Sequence, residues 1–111
     1  MSNYQTGHDA EARVADWLRE RGFRIMTINW KTPVCEIDII AIKSNIIFFI
    51  EVKYRQSDLH GSGVEYVTSK KLKRMSFAAE LWVQQQGWDG DYQLAVVQAS
   101  PGSFTLITDV M

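Results

Sequence analysis

Apolar positions change their period along the chain, and each change marks a predicted element. From about His8 to Arg21, Ala10, Val14, Trp17 and Leu18 recur at helical spacing, and Gly22 suits the left-handed turn that closes a helix. Residues 1–7 read as a loose lead-in. Phe23, Ile25, Ile28 and Trp30 then fit a first strand, which Lys31-Thr32-Pro33 breaks. Two apolar runs follow, from Glu36 and up to Arg55, joined at Lys43-Ser44-Asn45 as a hairpin. Ile39 to Ile42 and Ile46 to Val52 are apolar on both faces, so the hairpin is expected at the centre of a sheet covered on both sides. After a polar stretch, Thr68 or Ser69 caps a second helix that runs to about Gln86. Its inner stripe is Leu72, Met75, Ala79, Trp82 and Val83, and Gly87 ends it. Tyr92 to Gln98 and Phe104 to Thr108 are two further strands, separated by a turn at Ser100-Pro101-Gly102. The predicted order is α-β-β-β-α-β-β.

Composition narrows the class. A chain of 111 residues, 46% hydrophobic, fits one domain over 1–111 with a single core. A net charge of -1 offers no global positive field, so a nucleic-acid partner would need a local basic patch. The lone Cys35 excludes an intrachain disulfide and reads as a half-buried filler. No long apolar run or basic-then-apolar leader is present, so the expectation is a soluble, cytoplasmic protein without a membrane partner. Glycine-rich phosphate loops, zinc-spaced Cys/His sets and nucleophile elbows are missing from the sequence.

The candidate chemistry lies at the open end of the hairpin. With a loop of two residues, or of four, Asp38 falls opposite Glu51 and Glu36 opposite Lys53, and opposed residues share a face of the sheet. Opposed Cβ atoms lie about 5 Å apart, and two carboxylates at that distance repel. A shared proton, a cation such as Lys53, or a divalent metal would offset the repulsion, and hard oxygen ligands suit Mg²⁺ or Mn²⁺. Charged hairpin ends that merely meet water are the plain alternative. A doubly covered strand pair argues against it, because charges there need partners. Glu11 borders the buried stripe of the first helix, either as a solvated first-turn glutamate or as a third carboxylate delivered to the pair. Lys70, Lys71, Lys73 and Arg74 crowd the start of the second helix, where cations oppose the macrodipole and an anionic partner would offset them. The loop over 56–63 is a lid or a plain connector, and His60 within it reads as solvated rather than as a proton shuttle.

Taken together, Glu11, Asn29-Trp30-Lys31, Cys35-Glu36-Ile37-Asp38-Ile39-Ile40, Phe49-Ile50-Glu51-Val52-Lys53-Tyr54-Arg55 and Thr68 with Lys71 resemble the bacterial YraN-type family, uncharacterised protein family 0102. The resemblance runs from about Gly7 to Val97. That family is placed in the PD-(D/E)xK nuclease fold with archaeal Holliday junction resolvases. It implies a restriction-endonuclease-like α/β domain with a central mixed five-stranded sheet flanked by helices. It also implies a metal-dependent endonuclease acting on DNA, branched or Holliday-junction-like, with Mg²⁺ or Mn²⁺ as cofactor. Position by position, the core aspartate falls on Asp38, the E-x-K pair on Glu51 and Lys53, and the helix-one glutamate on Glu11. Asp38, Glu51, the Val52 carbonyl and Glu11 would hold the metal, while Arg55, Lys70, Lys71, Lys73 and Arg74 would hold the nucleic acid. Cys35 stands where the family has glycine, and Asp91-Tyr92-Gln93 where it has arginine, phenylalanine and aspartate. Both departures bear on substrate geometry and neither removes a candidate ligand. The alternatives are a nucleic-acid-binding module of the same fold without turnover, and an interaction domain whose acidic pair Lys53 neutralises. Enzymes that cut branched DNA present two sites by symmetry, so a homodimer is an expected assembly, with Trp88 as a candidate contact.

Overall fold

The computed structural model describes residues 3–54 and 67–110, with side chains from residue 10 onward. Its elements are α1 (Asn3–Glu20), β1 (Arg24–Lys31), β2 (Glu36–Lys43), β3 (Ile46–Tyr54), α2 (Ser69–Gln86), β4 (Asp91–Ser100) and β5 (Ser103–Ile107), in the predicted order. α1 begins ahead of the expected start near His8 and carries Gly7 inside it. One interior glycine costs a helix only about 1 kcal/mol, too little to set its boundary.

The strands form one mixed sheet in the order β1-β2-β3-β4-β5. β1, β2 and β3 are antiparallel neighbours, β3 and β4 run parallel, and β5 returns antiparallel to β4. A parallel neighbour cannot be reached by a hairpin, and α2 lies in the crossover between β3 and β4. The two helices cover opposite faces. Val14, Ala15 and Leu18 of α1 pack with Ile39, Ala41, Phe48 and Ile50, while Met75, Ala78, Ala79 and Trp82 of α2 pack with Ile40, Ile47, Phe49 and Leu94. β3 is therefore covered on both sides, as its unbroken apolar run requires.

Two local features fix the geometry that matters for function. Lys43 pairs with Ile46, and the residues between them, Ser44 (φ 53) and Asn45 (φ 65), both take the left-handed region, which makes a two-residue type I′ hairpin. That turn sets the register through to Ile39↔Ile50. Asn45→Val, β-branched in a left-handed position, is expected to lower stability by about 1–2 kcal/mol, read as a lower urea midpoint at unchanged slope. At α2, the Lys71 N–H donates to the Thr68 hydroxyl at 3.1 Å, and Gly87 closes the helix at φ 65. The first turn of α2 is thereby pinned at its Thr68 cap.

Trp88 differs from expectation. Its indole Nε1 donates to the Asp91 carbonyl at 3.1 Å, and its ring lies over Gly90, where an added Cβ would come within 2.6 Å of it. The ring closes the turn into β4 and packs on the α2-side core instead of standing free for a partner. Among the described residues no helix is long and apolar enough to cross a membrane.

Candidate metal centre

Pairing between β2 and β3 ends at Ile39↔Ile50, and the next position brings Asp38 to Glu51. In a hairpin of this register the Val52 N–H would donate to the Ile37 carbonyl. It donates instead to Asp38 Oδ2 at 2.8 Å, so a side-chain oxygen replaces a ladder bond where the pairing stops. Asp38 is also hydrogen-bonded to Glu51, a residue only 7% exposed. The sheet has thus placed two acids in contact at a largely dry strand end.

Two of the three ways to relieve their repulsion are visible. Burial, then the hydrogen bond and charge of Glu51, push the Asp38 carboxyl up to about 8, against the opposing pull of the Val52 N–H; the charge of Glu11 adds to the rise. The Asp38–Glu51 pair therefore holds a proton to higher pH than a free carboxyl would. Around Glu51 stand two ammonium groups, Lys53 Nζ at 3.5 Å and Lys71 Nζ at 3.7 Å, both from Oε2. Neither comes as close as the 2.7–2.9 Å typical of a tight charged hydrogen bond, so both are placed to exchange partners.

Lys71 is the main addition to the sequence expectation, which assigns it to nucleic-acid phosphates. The pinned first turn of α2 turns it inward to Glu51, whereas Lys70, Lys73 and Arg74 remain exposed. The basic run is accordingly split, one cation in the acidic site and three at the surface. Arg55, the loop over 56–63 and His60 lie outside the described residues. Glu11 is half-buried on α1 with its Oε2 enclosed, and it reaches Asp38 through charge. Among the described residues no three His, Cys, Asp or Glu side chains form a ready metal-ligand group. Cys35 is a nearly buried filler whose thiol burial pushes up.

Two further polar residues flank the pair. Gln98 of β4 is the parallel neighbour of Lys53, as Val96 is of Glu51, which puts Gln98 on the face that carries both. Asn29 of β1, at φ 59, lies between the pairs Ile28↔Ile39 and Trp30↔Ile37 and so stands opposite Asp38. Gln98 carries a signal in the sequence, a polar residue ending the apolar run Leu94 to Val97. Its importance depends on the β3–β4 register, which no local pattern contains.

The profile of Uncharacterised protein family UPF0102 matches residues 10–107. A UPF0102 protein of Vibrio campbellii is 36% identical over 100 residues, covering 87% of this chain and 82% of its own length. One of Erythrobacter litoralis is 38% identical over 103 residues, covering 90% and 85%. Among solved structures, Hjc, a Holliday junction resolvase of Archaeoglobus fulgidus, matches with a TM-score of 0.58 at 18% identity, over 91% of this chain and 75% of that protein. At that identity the likeness speaks for the fold.

Proposed function

The chain belongs to uncharacterised protein family UPF0102 and has the fold of a Holliday junction resolvase, and from these premises we propose that it is a metal-dependent endonuclease hydrolysing phosphodiester bonds in DNA, branched DNA included. The observation that carries the reading is the contact between Asp38 and Glu51 with the Lys53 ammonium beside it.

The donor set fits a hard divalent cation. Asp38 holds a proton for want of enough positive charge, and a cation can take that proton's place between the two acids. Asp38 and Glu51 would hold it, joined by the Val52 carbonyl and by Glu11, directly or through water. Mg²⁺ or Mn²⁺, when bound, supplies a Lewis acid for the phosphate and lowers the pKa of a coordinated water. Lys53 is at hand to orient that water and to meet charge developing on the phosphate oxygens. Lys71 brings a second ammonium to the same point from α2. Exposed Lys70, Lys73 and Arg74, with Arg55, bind backbone phosphates, which predicts binding that weakens steeply with salt and has little base preference. A two-fold dimer would present two such sites to a branched substrate.

A specific observation favours the second reading, a nucleic-acid-binding module without turnover. The proton on Asp38 and the two lysines already relieve the acidic pair. Calorimetric titration with Mn²⁺ at pH 7, in buffers of different ionisation enthalpy, separates the two. The enzyme reading expects binding with release of about one proton per ion, and loss of binding in Asp38→Asn. Absence of binding to the wild-type protein leaves the module.

A further inference from the structure

The last residues of β3 divide between the two faces of the sheet. Glu51 and Lys53 turn toward α2, where Lys71 meets Glu51, while Val52 and Tyr54 pack on the α1 side. On that second side a cleft of about 540 Å³ opens between α1 and the β4–β5 turn. Arg13, Trp17, Tyr54 and Phe104 line it, with the turn from Ser100 to Ser103 as its rim. Small-molecule sites span roughly 300–1,000 Å³, so the space suits a nucleotide.

The lining has a definite chemistry. Trp17 is braced by Phe104, edge-on at 5.5 Å between ring centroids, and by the Arg21 guanidinium 4.1 Å from its ring. Tyr54 is half-buried at the strand end, and Arg13 is exposed at the mouth. The Ser100 and Ser103 hydroxyls are 3.0 Å apart and fix the rim. Among the described residues no carboxylate lines the cleft. Aromatic rings with a cation form a surface on which any base can stack while its phosphate is held.

We propose that this cleft takes the base of an unpaired nucleotide, from the same strand whose phosphate lies at Glu51 and Lys53. Tyr54 is three residues beyond Glu51, about 10 Å along the strand, within reach of neighbouring nucleotides of one chain. The cleft lies on the face of the sheet that α1 covers, opposite the face on which Glu51 and Lys53 meet Lys71. A base can enter the cleft only after leaving its stack, which costs a duplex a few kcal/mol and a single-stranded tail much less. The substrate class is therefore DNA with an unpaired tail or flap beside the cut, in preference to continuous duplex. This inference rests on the reading of Glu51 and Lys53 as a phosphodiester site.

Fluorescence anisotropy of the full chain in EDTA tests it without cleavage, using a blunt duplex and a duplex with a short single-stranded tail, matched in phosphate number. The tail is expected to tighten binding at least about fivefold, the lower end of what one base-aromatic stack is worth. In Tyr54→Leu, which keeps apolar volume and removes the ring, the ratio of the two affinities falls toward one. Arg13→Ala, at an exposed position where folding is not at issue, lowers the same ratio. Equal affinity for both DNAs in the wild type overturns the proposal and leaves the nuclease reading standing, as does a preference that both substitutions leave intact. Failure to bind any DNA overturns the nuclease reading and this proposal together.

Discussion

Glu51→Gln is expected to reduce Mn²⁺-dependent cleavage of four-way-junction or flapped DNA by at least about a thousandfold, the scale on which preorganised charge at a reacting phosphate acts. The substitution keeps the shape of the side chain and removes the charge that Lys53 and Lys71 both face at 3.5 and 3.7 Å. Two consequences pull apart. The cation loses a ligand, so turnover falls. Both ammoniums lose their internal partner and become available to DNA phosphate, so affinity for the same DNA in EDTA holds or rises. A variant that simply failed to fold would lose both. Glu80→Gln, an exposed change on the outer side of α2, serves as the control and should leave cleavage within about twofold. Cleavage by Glu51→Gln within about threefold of wild type would remove Glu51 from the reaction. The alternative module predicts no cleavage by either protein.

How much of this was readable in advance depends on how local each cause is. The register that brings Asp38 to Glu51 follows from a two-residue loop at Ser44 and Asn45, and loop length is a short-range property. The caps of α2 at Thr68 and Gly87 are equally local, and both stand where the residues put them. The position of Lys71 is not local. It depends on how α2 is rotated over the sheet after a parallel crossover, and in one dimension Lys71 is only one member of a basic run. Gln98 likewise gains its place through the β3–β4 register, and Trp88 through a turn carbonyl that its indole reaches. The proton on Asp38 lies one step further off. Spacing shows that two acids meet, but burial decides how their repulsion is relieved, and burial is a property of the whole fold.

That proton leads to the second large effect. Relative to Asp38→Asn, wild-type stability is expected to fall as pH rises from about 4 to about 8 and then to level off. The sign follows from the direction of the shift. Asp38 is raised from 3.8 to about 8, so across that window the folded protein keeps a proton that the unfolded chain has released. The folded state binds more protons, and stability declines with pH. This is the reverse of a salt-bridged aspartate, which loses stability on acidification. At about 1.4 kcal/mol for each tenfold change in proton affinity, the penalty at pH 8 comes to a few kcal/mol after relaxation. Asp38→Asn imitates the protonated acid. Its amide oxygen can accept from the Val52 N–H, its nitrogen can donate to Glu51, and neither group titrates. The variant should melt on the order of 10 °C above wild type at pH 8, with the two curves converging near pH 4. Parallel melting curves across that range would remove the buried proton from the account. Millimolar Mn²⁺ at pH 8 should recover much of the difference for the wild type and give nothing to Asp38→Asn, because only the wild type has a proton site that a cation can fill. A chain selected for stability alone would do better with asparagine at this position. The proposed cation site would account for an aspartate at this position despite that cost.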